Sequence, residues 1–127
     1  MLFKAVFLMT IQHIGIGPRA SEAVIHNGVA HFAVTPERPY DGGLDAGEQT
    51  RQLLARLDAK LEKFGSSKSK VIFVTIVLAD MASNAAVNHE WDQWIDPNAP
   101  PSRACISAAL ASPAMKVEFI VQAAVDA

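Results

Sequence analysis

The chain has a single cysteine, Cys105, so it closes no internal disulfide, and one thiol is too few for a structural zinc site. That usage fits a reducing, cytoplasmic setting. No stretch reaches the roughly 18 apolar residues of a membrane span. The start, Met1 to Met9, faintly resembles a signal sequence, but Lys4 breaks its apolar run and no small-residue cleavage site precedes Gln12-His13. Met9 is an alternative start, so residues 1–8 read as an extension and 9–127 as a single domain. There is no basic cluster: 11 Lys and Arg stand against 13 Asp and Glu, for a net charge of −2. That balance gives no support to nucleic-acid or membrane-surface binding. A phosphate-binding glycine loop, a nucleophile elbow and a dinucleotide fingerprint are all missing. The four histidines, His13, His26, His31 and His89, show no metal-ligand spacing, so no metal is expected.

What is present is apolar: half of the 127 residues are hydrophobic and 19% charged, which excludes a disordered class and suffices for a core. So high an apolar fraction in a small domain points towards an oligomer. Thr10 to Ile16 reads as a short strand ended by Gly15 and the Gly17-Pro18 turn signal. Residues 21–26 and 29–34 flank Asn27-Gly28, a hairpin signal because both residues tolerate positive φ. Residues 36–47 hold two prolines and three glycines and read as a long loop lying over something.

Asp45 and Glu48 form a capping-box pattern, and Leu53, Leu54, Leu57, Leu61 and Phe64 repeat at helical spacing up to Gly65. Arg51, Arg56, Lys60 and Glu62 fall on the polar side of this helix and read as solvated. Val71 to Ala79 has the continuous apolar pattern of a central strand buried on both faces. A second helix is expected over about 83–95, with Val87, Trp91, Trp94 and Ile95 on one side. Final strands follow at about 103–110 and 116–125. The order β-β-β-α-β-α-β-β predicts an α+β fold, a mixed sheet with two helices on one face. The other face then needs cover, which again points to further subunits.

Two charges interrupt the last two strands. A guanidinium or carboxylate buried unpaired costs several kcal/mol, so Arg103 and Glu118 either pair with each other, as at a subunit interface, or face a site. If the strands form a hairpin, alternation collects Arg103, Cys105, Glu118 and Gln122 on one face. The functional reading makes Arg103 a two-pronged carboxylate clamp and Glu118 a group that positions water or shuttles a proton. Cys105 by itself reads as a small core residue. Asn88 is either helix surface or site.

These residues, in this order, resemble the reactive-intermediate deaminase family, also called RidA or YjgF. The resemblance runs from about Ile11 to Val125. It rests on Ile16-Gly17-Pro18, Asn27-Gly28, Gln49-Thr50-Arg51-Gln52, Leu78-Ala79-Asp80-Met81 and Val87-Asn88. Its most specific blocks are Pro101-Ser102-Arg103-Ala104-Cys105 and Lys116-Val117-Glu118. Ser66-Ser67-Lys68-Ser69 and Trp91-Asp92-Gln93-Trp94 resemble a less-characterised branch.

The resemblance implies a chorismate-mutase-like fold, and a homotrimer whose open sheet faces are buried in a central barrel, with sites between subunits. It implies a cofactor-free hydrolase that deaminates enamines and imines such as 2-aminoacrylate to a 2-oxo acid and ammonia. Carried over, Arg103 binds the substrate carboxylate, Glu118 holds water, and Cys105, Asn88, Thr35 and Arg19 line the pocket. Two departures stand out. Arg19 replaces a tyrosine after Gly-Pro, bringing either a second cation or a solvated side chain. Ala33-Val34-Thr35 replaces Ser-Gly-Gln, and a valine for a glycine is expected to narrow the approach of ligand to backbone. The alternative function is a non-catalytic trimer that binds small carboxylates or a protein in the same clefts. Nuclease activity, attached to some relatives, finds no support in the charge balance.

Overall fold

The apolar alternation of the strands and the 3.6-residue period of the helices are both realised in a computed structural model that describes residues 10–126. The strands are β1 (Gln12–Ile16), β2 (Ser21–His26), β3 (Val29–Val34), β4 (Val71–Leu78), β5 (Ser102–Ser107) and β6 (Val117–Ala124), with helices α1 (Ala46–Lys63) and α2 (Asn84–Trp94). This is the expected element order and α+β class. The extension proposed for residues 1–8 lies outside the described residues.

Local signals act as their chemistry requires. Asn27 and Gly28 take φ of 52° and 75° and join β2 to β3 as an antiparallel hairpin. The Asp45 side chain accepts the Glu48 N–H at 2.8 Å, capping α1. At the other end of α1, Gly65 adopts φ of 77° and stops the helix.

The sheet order is β1-β2-β3-β6-β4-β5. The hairpin expected between 103–110 and 116–125 does not form. β6 is antiparallel to both β3 and β4, and β5 instead pairs parallel with β4 at the sheet edge. Apolar content explains the choice. Val117, Phe119, Val121 and Ala123 of β6 are completely buried, so this strand gains most from a central place, whereas β5 buries little. The connection through α2 supplies the crossover a parallel pair needs.

α1 and α2 cover one face. Leu53, Leu57 and Leu61 of α1 and Val87 and Trp91 of α2 pack over Val74, Ile76, Phe119 and Val121. Full burial of each such side chain is worth about 1.5–3 kcal/mol. The helices also meet through an ion pair: Arg51 contacts the buried Glu90 at 2.8 Å, which holds the Glu90 carboxyl below its usual pKa. β4 is central, but it is not buried on both faces: Phe73 and Thr75 are half-buried, and Ile106 and Ile120 of its neighbours on the open side are 47% and 40% exposed.

Candidate functional site

Arg103 sits on the edge strand β5, level with Val74, on the helix-covered face. Its Nη2 donates to Asn88 Oδ1 at 2.6 Å, and its guanidinium lies 5.1 Å from the Trp91 ring centroid. Asn84, Asn88 and Trp91 recur at i, i+4 and i+7, so one stripe of α2 addresses β5. Cys105, two residues along on the same face, is half-buried with Sγ 3.6 Å from Asn84 Oδ1. Asn88 therefore belongs to the guanidinium cradle rather than to a plain helix surface. The remaining guanidinium N–H groups have no partner among the described residues, which leaves a fork suited to a carboxylate. The ring below adds an attraction of about 0.5–1 kcal/mol at an exposed position.

Glu118 lies elsewhere. On β4, Val74 stands level with Arg103 and Val77 with Glu118. Residues three apart on a strand point to opposite faces, so Arg103 and Glu118 are on opposite sides of one sheet. The expected common face of Arg103, Cys105, Glu118 and Gln122 is thereby corrected to two pairs, Arg103 with Cys105 and Glu118 with Gln122. A direct Arg103–Glu118 ion pair within the chain is not formed. The Glu118 carboxylate is half-buried and has no hydrogen-bond or ion-pair partner among the described residues.

Glu118 opens instead onto a cavity of about 370 Å³, whose walls include Thr35, Arg38, Tyr40, Arg56, Lys60 and Met115. Three of the side chains expected to be solvated are engaged. Arg56 Nη1 donates to the Thr35 carbonyl and Oγ1 at 3.0 and 3.1 Å and to the Pro36 carbonyl at 2.6 Å. Lys60 pairs with Glu22 at 3.1 Å, and Arg51 pairs with Glu90. Lys63, at 2.7 Å, is the main cause holding the Glu22 carboxyl below its ordinary pKa, with Lys60 adding to it.

The third-strand departure also reads differently in three dimensions. Val34 is 1% exposed, level with Phe119 on the helix-covered face, so its side chain fills the core. Ala33 and Thr35 are the residues that reach the cavity. Arg19 is exposed in the turn between β1 and β2, outside the walls of this cavity.

The loop that brings Arg38 and Tyr40 to the cavity wall is pinned by Gln49, which is fully buried on α1. Its Nε2 donates to the Asp41 and Ala114 carbonyls at 3.0 and 2.8 Å, and its Oε1 accepts the Lys116 N–H at 2.8 Å. Lys116 Nζ donates to the carbonyls of Gly42 and Leu44. The signal for Gln49 was its place in the Gln49-Thr50-Arg51-Gln52 block of the family resemblance, which did not reveal its role as a pin. Arg38 and Tyr40 gave none, because a loop has no period to read. Among the described residues no cluster of three or more His, Cys, Asp or Glu side chains could hold a metal ion, and no helix is long and apolar enough to cross a membrane.

A family model described as Endoribonuclease L-PSP matches residues 14–125. A RutC family protein of Haemophilus influenzae is 45% identical over 114 residues, covering 89% of this chain and 97% of that protein. The chain belongs to the RidA/YjgF family. Further members agree: the RutC family protein YoaB of Escherichia coli is 43% identical over 117 residues, 92% of this chain and 100% of that one. Among solved structures, a YjgF-family protein of Neisseria meningitidis superposes with a TM-score of 0.85 at 36% identity, covering 94% of this chain and 98% of its own. The RidA/YjgF fold thus accounts for the mixed sheet and its two helices, and for the open face they leave.

Proposed function

We propose that the protein hydrolyses small enamines and imines derived from amino acids, of the 2-aminoacrylate type, to a 2-oxo acid and ammonia, in clefts between copies assembled as a homotrimer. The observation that carries this reading is the Arg103 guanidinium, cradled by Asn88 and Trp91 with its remaining donors unspent. Such a group takes a planar carboxylate through two parallel hydrogen bonds. Because Arg103 and Glu118 occupy opposite faces of one sheet, a substrate held by both has to lie between two chains. The exposed Ile106 and Ile120 supply apolar surface for such an assembly.

An enamine first tautomerises to its imine. With the substrate carboxylate on Arg103, Glu118 of a neighbouring copy takes a proton from water as the water oxygen bonds to the carbon of the protonated imine, then passes that proton to the nitrogen of the carbinolamine. Collapse breaks the C–N bond, the hydroxyl losing its proton to solvent as the 2-oxo group forms, and releases ammonia. Nothing is oxidised or reduced, and the protonated imine is electrophilic without a cofactor. The half-buried thiol of Cys105 suits a reducing compartment, and we place the protein in the cytoplasm.

The test generates imines in situ with an amino-acid oxidase and traps them with semicarbazide. Wild-type protein is expected to suppress semicarbazone formation. Arg103→Ala, at unchanged oligomeric state, is expected to lose at least about 30-fold, since severing one side of a charge-assisted contact costs about 2 kcal/mol or more. Equal suppression by both proteins removes Arg103 from the chemistry. No suppression by the wild type, with saturable binding of a 2-oxo acid, makes the protein a carboxylate-binding module.

A further inference from the structure

The cavity beside Glu118 carries more positive charge than the proposed hydrolysis uses. Two acids and three cations line it: Glu22 and Glu118 against Arg38, Arg56 and Lys60. Lys60 is spent on Glu22, which leaves two guanidinium groups against one carboxylate. Neither guanidinium has an acidic partner among the described residues. Arg56 uses Nη1 on Thr35 and Pro36, and its other nitrogens have no partner among the described residues. Arg38 donates Nε to the Tyr40 hydroxyl at 3.1 Å and lies 5.6 Å from the centroid of that ring. The Tyr40 hydroxyl accepts that bond, so its own proton remains available to donate. The arrangement is a preformed set of N–H and O–H donors, with a planar, weakly hydrated cation held over an aromatic face.

We propose that Arg38, Arg56 and Tyr40 form an anion subsite that selects substrates with a second carboxylate: the imines of acidic amino acids and their dicarboxylic 2-oxo acid products. This rests on the hydrolase reading above, in which the first carboxylate is held by Arg103 of a neighbouring copy and the reacting carbon lies at Glu118. The second carboxylate then points along the same cavity, past Glu118, towards the loop that carries Arg38 and Tyr40. A cavity of about 370 Å³ falls within the usual range for small-molecule sites. Screening by the exposed position of Arg38 limits the gain, and one charge-assisted contact more corresponds to about tenfold in affinity.

The experiment is titration calorimetry of the assembled protein with 2-oxoglutarate and with 2-oxopentanoate, which has the same chain length but no second carboxylate, at fixed ionic strength. The wild type is expected to bind the dicarboxylate about tenfold more tightly, and Arg38→Met to bring the ratio towards one. Tyr40→Phe keeps the ring under Arg38 and removes only the hydroxyl proton, so it is expected to lower the ratio by about half of its logarithm. Equal affinities in the wild type, or a ratio untouched by Arg38→Met, overturn the subsite and leave the hydrolase reading standing. A ratio that depends on Arg38 while Arg103→Ala changes neither affinity keeps the subsite and overturns the Arg103 clamp. Absence of binding by both acids overturns both. Inorganic phosphate binding more tightly than the dicarboxylate, in an Arg38-dependent manner, overturns the substrate class in favour of a phosphate ester.

Discussion

Phe119 and Ile120 are neighbours on β6, yet the first is completely buried beneath Trp91 and the second is 40% exposed on the other side of the sheet. The helix-covered face is finished within one chain. Its apolar side chains fill each other's gaps, its buried Glu90 has Arg51, and even Arg103 at its edge has Asn88 and Trp91. The open face is unfinished: Ile106 and Ile120 lie in the open, and Glu118 has no partner among the described residues. One face stores the stability of the monomer. The other keeps the Glu118 carboxylate unspent and apolar surface uncovered, where assembly has something to gain. The proposed chemistry needs that carboxylate together with the donors that Arg103 leaves unspent at the edge of the finished face.

The largest effect that would break this contrast is on the finished side. Phe119→Ala removes a ring packed against Trp91 and is expected to cost about 3–5 kcal/mol, read as a drop in the urea midpoint at one fixed protein concentration. Ile120→Asp, one residue on, is expected to leave the far-ultraviolet circular dichroism of the fold intact. Sedimentation should instead show the assembly lost or shifted to higher concentration, because each copy would bury an unpaired charge. If both substitutions unfold the protein equally, the two faces are not energetically distinct. If Ile120→Asp leaves the molecular mass unchanged, the open face is not where copies meet.

A smaller effect sharpens the contrast at the edge strand. Asn88→Ala frees Nη2 of Arg103 but leaves Trp91 beneath it. Removing one charge-assisted hydrogen bond of about 1.5 kcal/mol is expected to raise KM for an imine, or the dissociation constant of a 2-oxo acid, by about tenfold. The rate constant kcat should change much less, since Asn88 acts through Arg103. A fall in kcat at constant KM would instead place Asn88 against the reacting atoms.

The difference between the faces also explains what was legible in the sequence. Alternation along β6 and leucine spacing on α1 report burial directly, so the elements, their order and the helix-covered core were readable. The hairpin residues Asn27-Gly28 and the cap Asp45 act locally and were readable too. Strand partnership was not. Nothing in residues 102–107 and 117–124 says that β4 lies between them, and the face shared by Arg103 and Glu118 depended on that. Polar positions on α1 were misread for a related reason. Arg56 and Lys60 sit where a helical pattern points to solvent, but the partners that engage them, Thr35, Pro36 and Glu22, come from strand ends and a loop far away in sequence. Val34 shows the converse: a valine expected to narrow the approach of a ligand is turned into the core by the register of β3 on β6.

The mildest test concerns charge at the rim of the cavity. Glu22 is held below its ordinary pKa by Lys63 and Lys60, Glu90 by Arg51, and Asp45 by the N–H of Glu48 at the start of α1. A carboxyl whose pKa is depressed in the folded state contributes stability above its unfolded pKa and loses it as pH falls through the folded value. All three therefore act in the same direction. The thermal midpoint is expected to be flat from pH 7 to about 5 and to fall below about 4.5, the ordinary carboxylate range. Glu22→Gln should lower the midpoint at pH 7 and flatten the acid decline, because the variant has one fewer group to lose. It also releases Lys60 into a cavity that already holds Arg38 and Arg56. The same substitution should therefore tighten a dicarboxylate while it weakens the fold, two opposite changes from one charge at the border between the finished face and the open one. A Glu22→Gln protein with unaltered acid sensitivity would assign the decline to Glu90 and Asp45 and leave Glu22 a solvated ion pair.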